Sequence, residues 1–205
     1  WMGAATGSWA CITNVLRINI KYNNFDMLEV GYGINLRPLA TMAEKIYADD
    51  PCEKLMPKTI EANKYDPVDD QLAAKMNKAI SICQFKVEGQ RIKAHPEYNM
   101  DNRLLLDKID YEKGTITLPS GVYPLNDTNF PTIDPKDPYK FSPEEKAMLE
   151  AIEPTFTQND KLQAHIKYMF THGALYTIVN GNLLFHGCIP MNADGTFKEI
   201  ELDGK

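Results

Sequence analysis

The residue best placed to do chemistry is a histidine at the end of an uncharged run. Residues 181–190 read Gly-Asn-Leu-Leu-Phe-His-Gly-Cys-Ile-Pro, so His186 follows an apolar stretch and precedes a glycine. A neutral imidazole at a strand exit, with little bulk beside it, suits Mn²⁺, Fe or Zn²⁺. Proteins with α/β architecture place reactive groups beyond the carboxyl ends of their strands. Spacing alone leaves a second reading open and favours it: a histidine at the edge of a core, bonded to a carbonyl.

Other candidates read more simply as structure. His165 and His172 lie seven residues apart on one helix face, but His172 beside Gly173 suits the negative end of a helix dipole. His95 precedes Pro96 at a helix end and reads as a surface residue. Asp127, Asp134 and Asp137 sit in a proline-rich stretch without EF-hand spacing, where aspartate usually builds turns. Four cysteines, Cys11, Cys52, Cys83 and Cys188, include no C-x-x-C pair. Free thiols in a reducing compartment are the simpler account.

The elements that must position His186 follow from pattern. Residues 174–179 and 182–185 flank Asn180-Gly181, the preferred type I′ hairpin dipeptide. Neither arm carries a charge, so the hairpin is expected inside a larger sheet covered on both faces. A second hairpin is expected over 115–118 and 122–125. Helices are expected over about 4–22, 38–47, 68–93 and 160–172 from apolar residues three and four apart. In the last of these, Leu162, Ile166, Met169 and Phe170 share a face. Ser142-Pro143-Glu144-Glu145 is a capping box with proline at the first helical position, opening a helix expected to stop before Pro154. Residues 51–67 read as a polar connection and 126–139 as an ordered loop. The fold class is therefore α+β, mainly helical, with two β-hairpins.

Composition narrows the function. The 205 residues carry a net charge of -6, with no basic stripe, which argues against nucleic-acid binding. The longest apolar stretch is far too short for a membrane span, and no signal peptide is evident at the start. The expected location is cytoplasmic. The chain opens on Trp1-Met2-Gly3 and closes after a turn at 194–198, so both ends are expected to be cut from a longer protein.

Longer runs carry a resemblance. The His186 segment is similar to the metallophosphoesterase motif in which a strand ends in His-Gly-Gly and the histidine binds the second metal. Four further runs accompany it: 1–5 (Trp-Met-Gly-Ala-Ala), 32–39 (Tyr-Gly-Ile-Asn-Leu-Arg-Pro-Leu), 103–111 (Arg-Leu-Leu-Leu-Asp-Lys-Ile-Asp-Tyr) and 123–135, which contains Asn-Asp-Thr-Asn-Phe-Pro. Together they resemble class III fructose-1,6-bisphosphatase, the bacterial type. The resemblance implies removal of the 1-phosphate of fructose 1,6-bisphosphate in gluconeogenesis, through a hydroxide activated by two metal ions, usually Mn²⁺, about 3.5 Å apart. It implies a four-layer α/β/β/α core, with His186 the one metal ligand carried here. The Asp-x-His, Gly-Asp-x-x-Asp, Gly-Asn-His-Asp and Gly-His motifs that supply the other ligands are absent from these residues, and Gly-Asn-His-Asp is expected just before Trp1. Cys188 stands where the superfamily has its second glycine.

On this reading residues 1–22 and 174–205 are part of the metallophosphoesterase core, and 23–173 form a mainly helical insertion. The chain alone is expected to be inactive, and no catalytic or sugar-binding residue is assigned. Arg91, Lys93, Arg103 and Lys108 can meet a sugar phosphate, but Glu97, Asp101 and Asp107 share the stretch and favour a solvated face. Partners are expected to be a small sugar phosphate and, for the assembled enzyme, further copies of itself. Two alternatives stand beside this reading: a regulatory or subunit-binding insertion module, and a related metallophosphatase with another phosphoester substrate.

Overall fold

The computed structural model describes residues 1–58, 68–174, 176–187 and 189–199. Cys188, the later part of the 51–67 connection and the end of the chain lie outside the described residues. The molecule divides into two units, Trp1–Ile166 and Lys167–Lys205.

Unit 1 is built around one helix. α1 (Met2–Ala5), α2 (Trp9–Lys21) and α3 (Arg37–Ile46) lead to α4 (Asp70–Ala94), against which α2 and α3 both pack. Asp69 caps α4, its carboxylate accepting from the N–H groups of Gln71 and Leu72. Thirteen of the 25 residues of α4 are buried, on more than one face, because other polypeptide covers it on both sides. The main core joins Leu16, Ile20, Leu39, Ile80, Leu149, Ile152 and Phe156, all fully buried. At roughly 1.5–3 kcal/mol for each large apolar side chain removed from water, this cluster is the dominant favourable term in the unit.

After α4 come the three strands of one antiparallel sheet, β1 (Ile109–Asp110), β2 (Thr115–Leu118) and β3 (Gly121–Pro124), in the order β1-β2-β3. The expected hairpin is present and gains β1 at its edge. α5 (Pro143–Thr157) follows, and α6 (Asp160–His172) begins in unit 1. Residues 1–22 lie within unit 1, with α2 against α4.

Three expectations need correction. The first helix is interrupted: Gly7, at φ +85, makes a left-handed turn that few other residues adopt, and the chain restarts at α2. α5 does not stop before Pro154 but carries it inside. The missing N–H and ring clash cost about 3 kcal/mol, and burial of Ile152 and Phe156 on either side offsets that cost. In α6, Leu162 and Ile166 are buried, whereas Met169 and Phe170 are exposed.

In unit 2, β4 (Tyr176–Val179) and β5 (Asn182–Phe185) form a two-stranded antiparallel sheet. Asn180 and Gly181 both have positive φ, 52° and 76°, as a type I′ turn requires. A second reversal follows, closed by an antiparallel bridge between Met191 and Phe197.

Candidate functional site

His186 sits in the bend that follows β5, exposed to solvent. Two features fix the backbone there. The type I′ turn sets the register Tyr176↔Phe185 and Ile178↔Leu183, so the strand ends at a defined residue. Gly187 then adopts φ +102, open only to glycine at low cost, and turns the chain away. Beyond it, Lys198 N–H donates to the Pro190 carbonyl (3.0 Å) and Asn192 N–H to the Thr196 carbonyl (2.8 Å). The hydroxyl and N–H of Thr196 donate to Asp194 and hold its carboxyl below the usual range. His186 is thus held between two tight reversals, and among the described residues its imidazole has no hydrogen-bond partner.

Among the described residues no three His, Cys, Asp or Glu side chains converge to hold a metal ion. One imidazole can supply one coordination bond. A dinuclear centre needs several further ligands, and the described residues do not fit that group by themselves.

The remaining histidines are engaged by other side chains. His165 Nδ1 lies 3.1 Å from the Tyr32 hydroxyl. His172 stacks on Tyr168 at 4.3 Å. His95 stacks on Tyr98 and bonds Glu97 at 2.7 Å, which holds that carboxyl below its ordinary value. The basic cluster is not convergent either: Lys93 pairs with Asp107 at 3.1 Å, and Lys108 donates to the Asn102 carbonyl. Arg91 lines an open groove of about 530 Å³ with Thr6, Ser8 and Gln90. Asp134 accepts from Lys136 N–H at 2.9 Å, a turn role.

The sequence pattern missed a set of buried lysines on α4. Lys75, Lys78 and Lys86 are 6%, 2% and 0% exposed. Lys86 Nζ donates to Glu145 and to the Thr132 carbonyl, both at 2.6 Å. Lys78 Nζ lies 2.6 Å from Asp50 and 2.7 Å from Asp127, over the rings of Tyr47 and Phe130. Burial alone would raise the Asp50 carboxyl, but bonds from Lys78, Cys52 N–H and Asn129 outweigh it and hold it at about 2. Burial and the Asp50 charge push the neighbouring Cys52 thiol up to about 12, so it is protonated and unreactive. Farther along, Gln90 donates to the Tyr139 carbonyl and Gly89 admits the Tyr139 ring. The Asn-Asp-Thr-Asn-Phe-Pro run and the loop after it are thereby fastened along α4. Asp127 is a counter-ion for Lys78 in this arrangement, not one of a calcium-binding set.

No helix among the described residues is long and apolar enough to cross a membrane. The whole chain, residues 1–205, matches the family described as Firmicute fructose-1,6-bisphosphatase. Proteins called fructose-1,6-bisphosphatase class 3 are 55% identical over 204 residues in Clostridium novyi (strain NT) and 54% identical over 205 residues in Clostridium tetani (strain Massachusetts / E88), each match covering 100% of this chain. A third, from Clostridium acetobutylicum, is 50% identical over 200 residues and 98% of the chain. The chain spans about 30% of the length of these relatives. No solved structure matches it. A match over every residue, with identities of 50–55% in relatives that share one description, leaves one assignment: the chain belongs to the firmicute fructose-1,6-bisphosphatase family.

Proposed function

We propose that the full-length protein is a fructose-1,6-bisphosphatase that releases the 1-phosphate and leaves fructose 6-phosphate, a step of gluconeogenesis in the cytoplasm. The reading is carried by the family match over all 205 residues. Water supplies the oxygen that bonds to phosphorus, the bond from phosphorus to the C1 oxygen breaks, and that oxygen takes up a proton. We assign His186 as one ligand of a divalent metal, Mn²⁺ in the first instance, within a four-layer metallophosphoesterase core. The metal, when bound, would supply positive charge to the phosphoryl oxygens. This chain's own contribution is a single imidazole, fixed in position by the hairpin before it and the glycine after it. The other ligands belong to polypeptide outside these residues, so the 205-residue chain alone is expected to be inactive.

The test uses the full-length protein with Mn²⁺ and measures phosphate released from fructose 1,6-bisphosphate. His186→Ala is expected to lower turnover by at least about a hundredfold, since even groups that only orient metal ligands are worth ten- to a hundredfold. Undiminished turnover in His186→Ala would end the ligand assignment. Turnover of another phosphoester in preference to fructose 1,6-bisphosphate would replace the substrate assignment.

A further inference from the structure

We infer that a π-helical turn, Met27–Gly31, and the first turns of α6 form one strap that opens and closes as a unit, coupled through Asn159. The whole strap lies within unit 1. A π-helix is rare, and single turns of it mark functional segments. This one is anchored from below by Leu28 and Ile34, both buried, and Gly33 at φ +67 turns the chain out of it. A helix end leaves carbonyls that its own backbone does not satisfy. Here two such groups are taken from across the molecule. Lys161 Nζ donates to the Gly31 carbonyl at 2.6 Å, and Asn159 Nδ2 donates to the Tyr32 carbonyl. The Tyr32 hydroxyl meets His165, and Lys161 Nζ stands 5.4 Å from the centre of the Tyr32 ring.

Asn159 works in two directions. Its Oδ1 accepts from Leu162 N–H at 3.0 Å and so caps the start of α6, while its Nδ2 holds the Tyr32 carbonyl. One carboxamide therefore begins one element and closes the other. The rest of the anchorage is slight: within 160–166 only Leu162 and Ile166 are buried, and Gln163 donates to the Ala5 carbonyl at 2.8 Å. Elements with few buried apolar groups and many water-accessible hydrogen bonds open at lower free energy than the core. When the start of α6 lifts, the Gly31 and Tyr32 carbonyls lose their donors, and the turn is released with it. Ile166 is the last residue of unit 1, so the strap also fixes the point at which the chain leaves that unit. The inference goes beyond the proposed hydrolysis and does not depend on it, since its test reads amide exchange and not activity.

Asn159→Asp separates the two directions. An aspartate still accepts from Leu162 N–H but has no donor for the Tyr32 carbonyl. Native-state hydrogen exchange in the full-length protein reads the outcome. Gly33 and Ile34 report the turn, because their N–H groups donate to the Glu29 and Leu28 carbonyls at 2.8 and 2.9 Å. Leu162 and Gln163 report α6, and Ile80, inside α4, reports the core. Asn159→Asp is expected to speed exchange at Gly33 and Ile34 by about fivefold or more, with Ile80 unchanged. Unchanged exchange at Gly33 and Ile34 overturns the coupling, since Asn159 would then serve α6 alone. An equal rise at Ile80 overturns it as well, because the core and not the strap would have loosened. The unsubstituted protein gives a second readout if the variant fails to fold. In low urea, Gly33, Ile34, Leu162 and Gln163 are expected to share one opening free energy and one urea dependence, both below those of Ile80. Different urea dependences for the turn and for α6 overturn the inference, and so does exchange at these sites only through global unfolding.

Discussion

Phe156 and Phe185 are the same side chain in two opposite situations. Phe156, late in α5, is completely buried in the core of unit 1, with Trp1 at a ring separation of 6.2 Å. Phe185, at the end of β5, is 48% exposed. The contrast extends through both units. In unit 1, helices from opposite ends of the sequence close round one another, and even lysines are drawn inside with carboxylate partners. In unit 2, Tyr176, Ile178, Leu183 and Leu184 stand in solvent. α6 shows both conditions within one helix: Leu162 and Ile166 are buried, and Tyr168 and Phe170 are 63% and 68% exposed. Unit 1 thus has a closed apolar core among its described residues. Unit 2 has the side chains of a core without the core.

The most direct way to break this comparison is to remove both phenylalanine rings. Phe156→Ala in the 205-residue chain is expected to cost about 3–5 kcal/mol, the lost transfer energy plus the cavity left in a close-packed site. Phe185→Ala in the same chain is expected to cost less than about 0.5 kcal/mol, as for other surface substitutions. Urea unfolding followed by far-ultraviolet circular dichroism measures both. Similar costs would mean that the hairpin is packed in solution and that the two units do not differ as described.

The same contrast explains what could be read from the chain. The capping box at Ser142 and Glu145 and the type I′ turn at Asn180-Gly181 are local chemistry, complete within four residues. Local signals also located His186 at a strand exit. The buried lysines were not legible, because the partners of Lys78 and Lys86 lie 28, 49 and 59 residues away in sequence. A lysine becomes a core residue only when such a carboxylate arrives. Pro154 misled for a related reason: its effect on α5 is local, and the burial of Phe156 that overrides it is not. Whether His186 meets a metal is the same kind of question, since its co-ligands would come from far away in the polypeptide.

A smaller effect sharpens the account of unit 1's charged interior. The Asp50 carboxyl is held at about 2, below the ordinary 3.8. A depressed carboxyl contributes stability that is present above the ordinary value and lost as pH falls toward the folded one. Stability is therefore expected to fall between about pH 4 and pH 2, with Asp50 contributing about 1–2 kcal/mol of the loss. Asp50→Asn should flatten that part of the profile while leaving Lys78 with Asp127. Urea midpoints of both proteins through this range decide it. Parallel profiles would mean that the Lys78 cluster is not what holds the loop to α4.

The smallest effect is expected where two adjacent glutamates part company. Glu144 and Glu145 both lie in the first turn of α5. Glu145 is buried, bonded to Lys86 and to Ser142 N–H. Glu144 faces Lys45 at 3.6 Å, with side chains 44% and 70% exposed. Stranding one member of the buried pair would leave a charge in the core with no water to solvate it. The exposed pair gains little, because water screens the attraction and two long side chains must be ordered to make it. Lys45→Met keeps an unbranched apolar stem in the groove that Lys45 lines with Met42 and Met148, while removing only the charge. It is expected to move the urea midpoint by less than about 0.1 M. The small shift should be the same at low and high salt, since little attraction remains to be screened. A large, salt-sensitive loss would place Lys45 and Glu144 among the groups that hold α3 to α5, and would extend the paired interior of unit 1 to its surface.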